Sequence, residues 1–241
     1  MPVFLRQSAA PAANSSNVDS AAQADIIALR ERLLFMGAQV ESLVETAFAA
    51  LDRRDAGRAR VVISLDEEID RLEVEVDGMC VRLLSARQLN AQNLRFVTST
   101  LKLVTDLERA ADLGVNVAER VVELAAQPQT MDCYGALAHM ASVSLRMLRD
   151  AMDAFVSADT LKAEQILERD EAVDTLYSQF FPTLIAQMVA DIQCVEQATR
   201  LQSVAKYIER IADHATNIAE MVVFMVRGTD VRHHFDHGGT G

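Results

Sequence analysis

Two stretches of this chain carry the same residues at the same spacing. Glu108-Arg-Ala-Ala-Asp-Leu-Gly-Val-Asn-Val-Ala-Glu119 recurs as Glu209-Arg-Ile-Ala-Asp-His-Ala-Thr-Asn-Ile-Ala-Glu220. The pairs Glu108/Glu209, Asp112/Asp213, Asn116/Asn217 and Glu119/Glu220 are all 101 residues apart. A fixed offset of this size requires a duplicated module of about a hundred residues.

Each copy reads as helix. Apolar residues recur at intervals of three and four (Leu103, Leu107, Ala110, Ala111, Leu113, Val117, Val121, Leu124), and Gly and Pro are scarce. At this period Glu108, Asp112, Asn116 and Glu119 fall within about 80° of one another, as do Glu209, Asp213, Asn217 and Glu220. Carboxylates four apart on a helix repel by a few tenths of a kcal/mol. A hard cation bound by oxygen ligands on neighbouring turns would offset that cost. The alternative is a solvated acidic face interleaved with Arg109, Arg120, Lys206 and Arg210.

A second acidic pair precedes each stretch. Asp66-Glu-Glu-Ile-Asp70 and Asp170-Glu-Ala-Val-Asp174 are 104 residues apart. Each module thus offers Asp-x-x-x-Asp from one helix and Glu-x-x-x-Asp from the next, enough for a polynuclear metal site if the helices are neighbours. Glu73 and Asp77 extend the first set, and Tyr177 and Phe181 stand in their places in the second. The first site is therefore the more acidic.

The chain divides accordingly. Residues 1–22, rich in Ala, Ser, Asn and Pro, read as a disordered tail. Residues 23–127 form a first bundle: a helix from about Asp25 to Arg53, a second from about Ala56 to Arg87 capped by Asp55, and a third from Asn90 to near Pro128. Residues 132–227 repeat it, with Asp159 and Asp191 as the matching caps. Residues 228–241, with His233, His234 and His237, read as a flexible tail. At ~1.5 Å per residue each helix is about 40–55 Å long, and short loops make such helices antiparallel. The fold class is all-α: two tandem three-helix bundles. Pro182 within the fifth helix, and Gly78 at the matching place in the second, predict a bend in each.

Several functions are disfavoured. A net charge of −12 opposes nucleic acid and anionic lipid. Cys80, Cys133 and Cys194 are odd in number and form no Cys-x-x-Cys pair, which predicts free thiols. The chain has no run of 18 apolar residues and no glycine-rich phosphate loop. His139 and His214 are isolated, and His214 faces Leu113 in the repeat alignment. No nucleophile–base constellation is legible, so the expectation is a non-enzyme. A di-metal oxidase on a bundle needs Glu-x-x-His twice, and the chain has none.

The duplicated Asp-x-x-(Ile/Val)-Asp and Glu-Arg-x-x-Asp-x-x-x-Asn-(Ile/Val)-Ala-Glu stretches resemble the PhoU family of phosphate-signalling proteins over residues 25–227. The resemblance implies tandem three-helix bundles, often homodimeric, with iron, zinc, manganese or magnesium on the acidic motifs. It implies Asp66, Asp70, Glu108 and Asp112 as one metal set and Asp170, Asp174, Glu209 and Asp213 as the other; Asn116, Asn217, Glu73 and Asp77, which the helical spacing adds to the stripes, are additional candidates. It also implies a cytoplasmic adaptor, peripheral at the inner membrane through its partners. That adaptor would link a phosphate ABC transporter ATPase to a sensor histidine kinase and repress the phosphate regulon when phosphate is plentiful. A helical metal-binding or storage protein is the alternative. The family pattern places Gly before the motif Asp; this chain has Ala111 and Ala212, whose methyl groups would narrow the space for helix packing or for a cluster.

Overall fold

The computed structural model describes residues 15–86, 89–131 and 133–228. Helix α1 (Ser15–Arg53) leads to α2 (Ala56–Ser64), α3 (Asp66–Ala86) and α4 (Ala91–Ala125). The second repeat has α5 (Tyr134–Ser157), α6 (Thr160–Ala190), a 3-10 turn (Ile192–Cys194) and α7 (Val195–Arg227). In the first repeat α1, α2/α3 and α4 pack together; in the second α5, α6 and α7 do so. The architecture is all-α, two three-helix bundles in tandem.

The caps are local chemistry. Asp55 Oδ1 accepts hydrogen bonds from the backbone of Gly57 and Arg58, and Asp159 Oδ1 from Leu161 and Lys162. Each carboxylate satisfies amide groups that the first helical turn leaves unpaired. Before each cap the chain turns through a left-handed non-glycine residue, Arg54 (φ 50) and Ala158 (φ 55). Asn90 caps α4 through the amide of Asn93. Asp191 caps the 3-10 turn, and α7 follows it rather than starting at Asp191 itself.

Two expectations about element boundaries change. The helix expected from Ala56 to Arg87 is interrupted at Leu65, so Asp66, Glu67 and Glu68 occupy the first turn of α3, where the helix dipole favours anions. Pro182 does not interrupt α6, which runs unbroken from Thr160 to Ala190, and Gly78 does not interrupt α3. Proline removes one amide and clashes with one carbonyl, which a long helix absorbs without ending. Residues 15–22 belong to α1 rather than to a tail; residues 1–14 and 229–241, including His233, His234 and His237, lie outside the described residues.

The repeats are joined by α4 against α7 and by α1 against α5. Arg95 meets Met225, Asp106 meets Asn217, Glu123 meets Arg200 and Gln127 meets Glu196. Partner numbers fall on α7 as they rise on α4, so the two helices are antiparallel. Ala111 on α4 and Ala212 on α7 lie five residues from Asp106 and Asn217, about 140° round their helices from those two side chains. Both are fully buried. Their methyl groups are part of the hydrophobic core. The linker is pinned to α7, with the backbone amide of Thr130 donating to Gln197 Oε1 at 3.0 Å. α1 contains one stretch, Ala22–Arg53, long and apolar enough to cross a membrane. Half of its most apolar window is buried in the protein, and Ile26, Leu29, Leu33, Met36 and Val40 form part of the core.

Candidate functional site: two acidic faces

The first acidic face lies where α3 and α4 pack. Asp66 and Asp70 come from the start of α3, Glu73 and Asp77 from its next turns, and Glu108 and Asp112 from α4. Burial raises the Asp66 carboxyl, and the charges of Asp112, Asp70 and Glu119 raise it further. Glu73 is raised by burial and by Asp77 and Asp70, while a hydrogen bond with Thr105 opposes the shift. Glu108 is pushed up to about 7 by burial and then by Asp112. Mutual repulsion of this kind requires all these carboxylates to be near neighbours. The only cation held directly on Glu108 and Asp112 among the described residues is Arg109, at 3.5 Å from Glu108 and 3.8 Å from Asp112, with its side chain 57% exposed.

The second face lies between α6 and α7. Asp213 is pushed up to about 6 by burial, then by Glu209 and Asp170. Burial and Asp174 raise Asp170, and the Thr216 hydroxyl opposes them. Asp213 is partly buried, and Glu209 is buried. Motif carboxylates on a fully exposed stripe, as the helical period alone suggests, are therefore not what the packing produces. Lys206 approaches both Glu209 carboxylate oxygens, at 2.7 and 2.6 Å.

Sequence-selected residues are thus brought together in two sets: Asp66, Asp70, Glu73, Asp77, Glu108 and Asp112, and Asp170, Asp174, Glu209 and Asp213. Asp77 Oδ1 and Asp170 Oδ1 are buried carboxylate oxygens that accept no well-directed hydrogen bond. As the side chains stand, no group of three or more His, Cys, Asp or Glu residues among the described ones is arranged to hold a metal ion. Asn116 lies beside the first face, partly buried. Asn217 does not serve the second face: its amide donates to Asp106 Oδ1 at 3.0 Å, across the repeat boundary.

Asp106 is the residue that sequence reasoning missed. It also meets His214 Nδ1 at 2.8 Å, so His214 is neither isolated nor a simple core residue. The repeat alignment gave no signal, because Tyr207 stands opposite Asp106 and Leu113 opposite His214. Cys80, Cys133 and Cys194 are buried, and no disulfide joins them. Burial pushes the Cys80 thiol up to about 12, so it is inert as a nucleophile at neutral pH.

A tandem all-α scaffold with one acidic face per repeat defines a protein of the duplicated three-helix-bundle class. The PhoU domain matches twice, at residues 33–121 and 137–222, once in each repeat. The chain belongs to the PhoU family. It is 37% identical to the phosphate-specific transport system accessory protein PhoU homolog of Pseudomonas aeruginosa, over 87% of each chain. It is 36% identical to the homolog of Pseudomonas putida, over 87% of this chain and 82% of that one. The crystal structure of PhoU from Pseudomonas aeruginosa superposes with a TM-score of 0.84 at 35% identity, covering 86% of this chain and 99% of that one. The phosphate transport system regulatory protein PhoU from Streptococcus pneumoniae superposes with a TM-score of 0.80 at 28% identity, covering 87% of this chain and 99% of that one.

Proposed function

We propose that this chain is an accessory regulator of phosphate uptake: a cytoplasmic, non-catalytic adaptor that couples a phosphate ABC transporter ATPase to a sensor histidine kinase and keeps phosphate-responsive genes repressed when phosphate is abundant. The observation that carries this reading is full-length similarity, in both repeats, to relatives named as accessory or regulatory proteins of phosphate transport. The rigid two-bundle body, tied across the repeats by Asp106, Arg149 and Arg200, suits an adaptor that presents fixed surfaces. It attaches to the membrane through partners, and its working form is a homodimer.

The acidic faces supply the second part of the reading. Their donors are hard oxygens, and their unsatisfied buried carboxylate oxygens and raised carboxyls fit a divalent or ferric cation. Asp66, Asp70, Glu108 and Asp112 would hold it in the first repeat, with Glu73 and Asp77 beside them. Asp170, Asp174, Glu209 and Asp213 form the corresponding set. A bound cation would supply charge neutralisation that fixes the relative position of the paired helices. Arg109 and Lys206, each on the same helix as its carboxylate partners, supply part of the charge neutralisation.

The test is a chromosomal deletion complemented by plasmid-borne variants, read with a phosphate-responsive reporter in high-phosphate medium. Deletion is expected to derepress the reporter, and the wild-type gene to restore repression. Equal reporter levels in deletion and wild type, together with co-purification of neither transporter nor kinase components, would leave a metal-binding or storage scaffold as the better reading.

A further inference from the structure

Residues 175–190, the second half of α6, form the longest run in the chain without a charged side chain: Thr-Leu-Tyr-Ser-Gln-Phe-Phe-Pro-Thr-Leu-Ile-Ala-Gln-Met-Val-Ala. Only part of this run serves the core. Phe180 and Leu184 are buried, and Leu176, Tyr177 and Met188 pack against the core beside them. Ser178, Phe181, Pro182, Ile185, Ala186 and Val189 are exposed. Phe181, Ile185 and Val189 follow one another at four-residue spacing and so line one stripe of the helix. Val189 is 83% exposed, and Ile192, just beyond the end of α6, is 76% exposed. The small residues Ser178, Pro182 and Ala186 run beside the stripe at the same spacing. The polar groups here are satisfied within the helix. Ser178 Oγ donates to the Thr175 carbonyl at 2.9 Å, and Thr183 Oγ1 to that of Gln179 at 3.1 Å. Hydroxyls already paired in this way lose their water at little cost.

The fold does not require such a face. In the matching stretch of α3, residues 71–86, the first repeat carries Arg71, Glu73, Glu75, Asp77 and Arg82. Asp77 stands in the place of Phe181, and Arg82 in that of Ala186. The second repeat has lost every one of these charges and gained an exposed apolar stripe. A contiguous exposed apolar patch marks contact with another molecule. Depletion of charge with enrichment in Phe, Tyr and Met is the composition of a protein–protein interface.

Charge identifies the occupant. The chain carries a net charge of −12, so two copies repel wherever their charged surfaces meet. A charged partner surface laid on this strip would lose its water and find no opposite charge there. A second copy brings an identical uncharged apolar strip, and a twofold contact matches the strip with itself. We propose that this face of α6 is where two copies of the chain meet across a twofold axis, burying Phe181, Ile185, Val189 and Ile192 of each. The homodimer proposed above underlies this inference, which gives it a surface.

The experiment is sedimentation equilibrium of the purified full chain over a broad concentration series, with folding checked by circular dichroism. Wild type is expected to sediment as a dimer. Val189→Glu and Ala186→Glu, at two separate exposed positions, are each expected to weaken the dimer at least about a hundredfold, because a twofold contact counts each substitution twice. Val81→Glu, at the place in the first repeat that matches Ile185, is expected to leave the dimer unchanged. A dimer equally stable in all four forms places the contact elsewhere and overturns this inference while the homodimer stands. A wild-type chain that stays monomeric throughout the series overturns both. If Val189→Glu then also fails to restore repression in the reporter assay above, a different protein occupies the face.

Discussion

Asp106 on α4 and Asn217 on α7 meet at 3.0 Å, although 111 residues separate them in the chain. The same carboxylate oxygen lies 2.8 Å from His214 Nδ1. One aspartate thus joins the two repeats through a residue that the duplication kept, Asn217, and one that it did not, His214.

Removing that aspartate leaves two polar side chains at the repeat interface without their partner. Asp106→Ala should destabilise the protein by about 0.5–1.5 kcal/mol, the net worth of a hydrogen bond, since Asn217 is exposed to water and His214 is only partly buried. Urea unfolding measures it. His214→Leu in the Asp106→Ala background should cost less than the sum of the single changes, because part of the penalty has already been incurred.

Ala111 on α4 and Ala212 on α7 are fully buried, which makes the core at each position sensitive to volume. Ala111→Leu or Ala212→Leu should cost about 1–3 kcal/mol through overpacking at a fully buried position. Ala111→Gly, the residue of the family pattern, should cost about 1 kcal/mol through helix propensity. A thermal unfolding series would rank them; equal melting temperatures for Ala111→Leu and wild type would show that the core has room for the larger side chain.

The raised carboxyls predict a stability that falls with rising pH. Glu108 titrates at about 7 in the folded protein against an ordinary 4.5, and Asp213 at about 6 against 3.8. Between each pair of values the folded state holds more protons than the unfolded state. Stability is therefore lost as pH rises through these windows. In chelator, the melting temperature should drop between pH 5 and pH 8, as the values cited here place it. Glu108→Gln should flatten the upper part of the slope. Added Mn2+ should reverse the trend, since ionised carboxylates are the better ligands.

The grooves between the first two helices of each repeat differ. Arg32 pairs with Glu75 in the first repeat, and Ala136 and Gln179 take those places in the second. There a cavity of about 380 Å³ opens, lined by Cys133, Met140, Leu176 and Phe180 among others. Ala136→Arg with Gln179→Glu should rebuild the ion pair and stabilise the protein by up to about 1 kcal/mol, the value of a partly exposed pair. Denaturant midpoints of the single and double variants would separate the pair from the filling of space.

The sequence by itself determined the repeat, the helical class, the Asp55, Asn90 and Asp159 caps and the four pairs of motif carboxylates. Each of these is written in local periodicity or in the offset between copies, and local hydrogen bonding enforces it. Tertiary structure alone decided which charges meet. Lys206 and Glu209 share a helix, but only packing against Tyr177 and the burial of Glu209 make their pairing tight. Asp106 had no counterpart in the other repeat, so comparing the copies could not reveal it. The break at Leu65 also escaped the sequence, because neighbouring helices and not local propensity set whether a long helix yields at one residue. Contacts between repeats join residues about a hundred positions apart, and no periodicity within either copy encodes them.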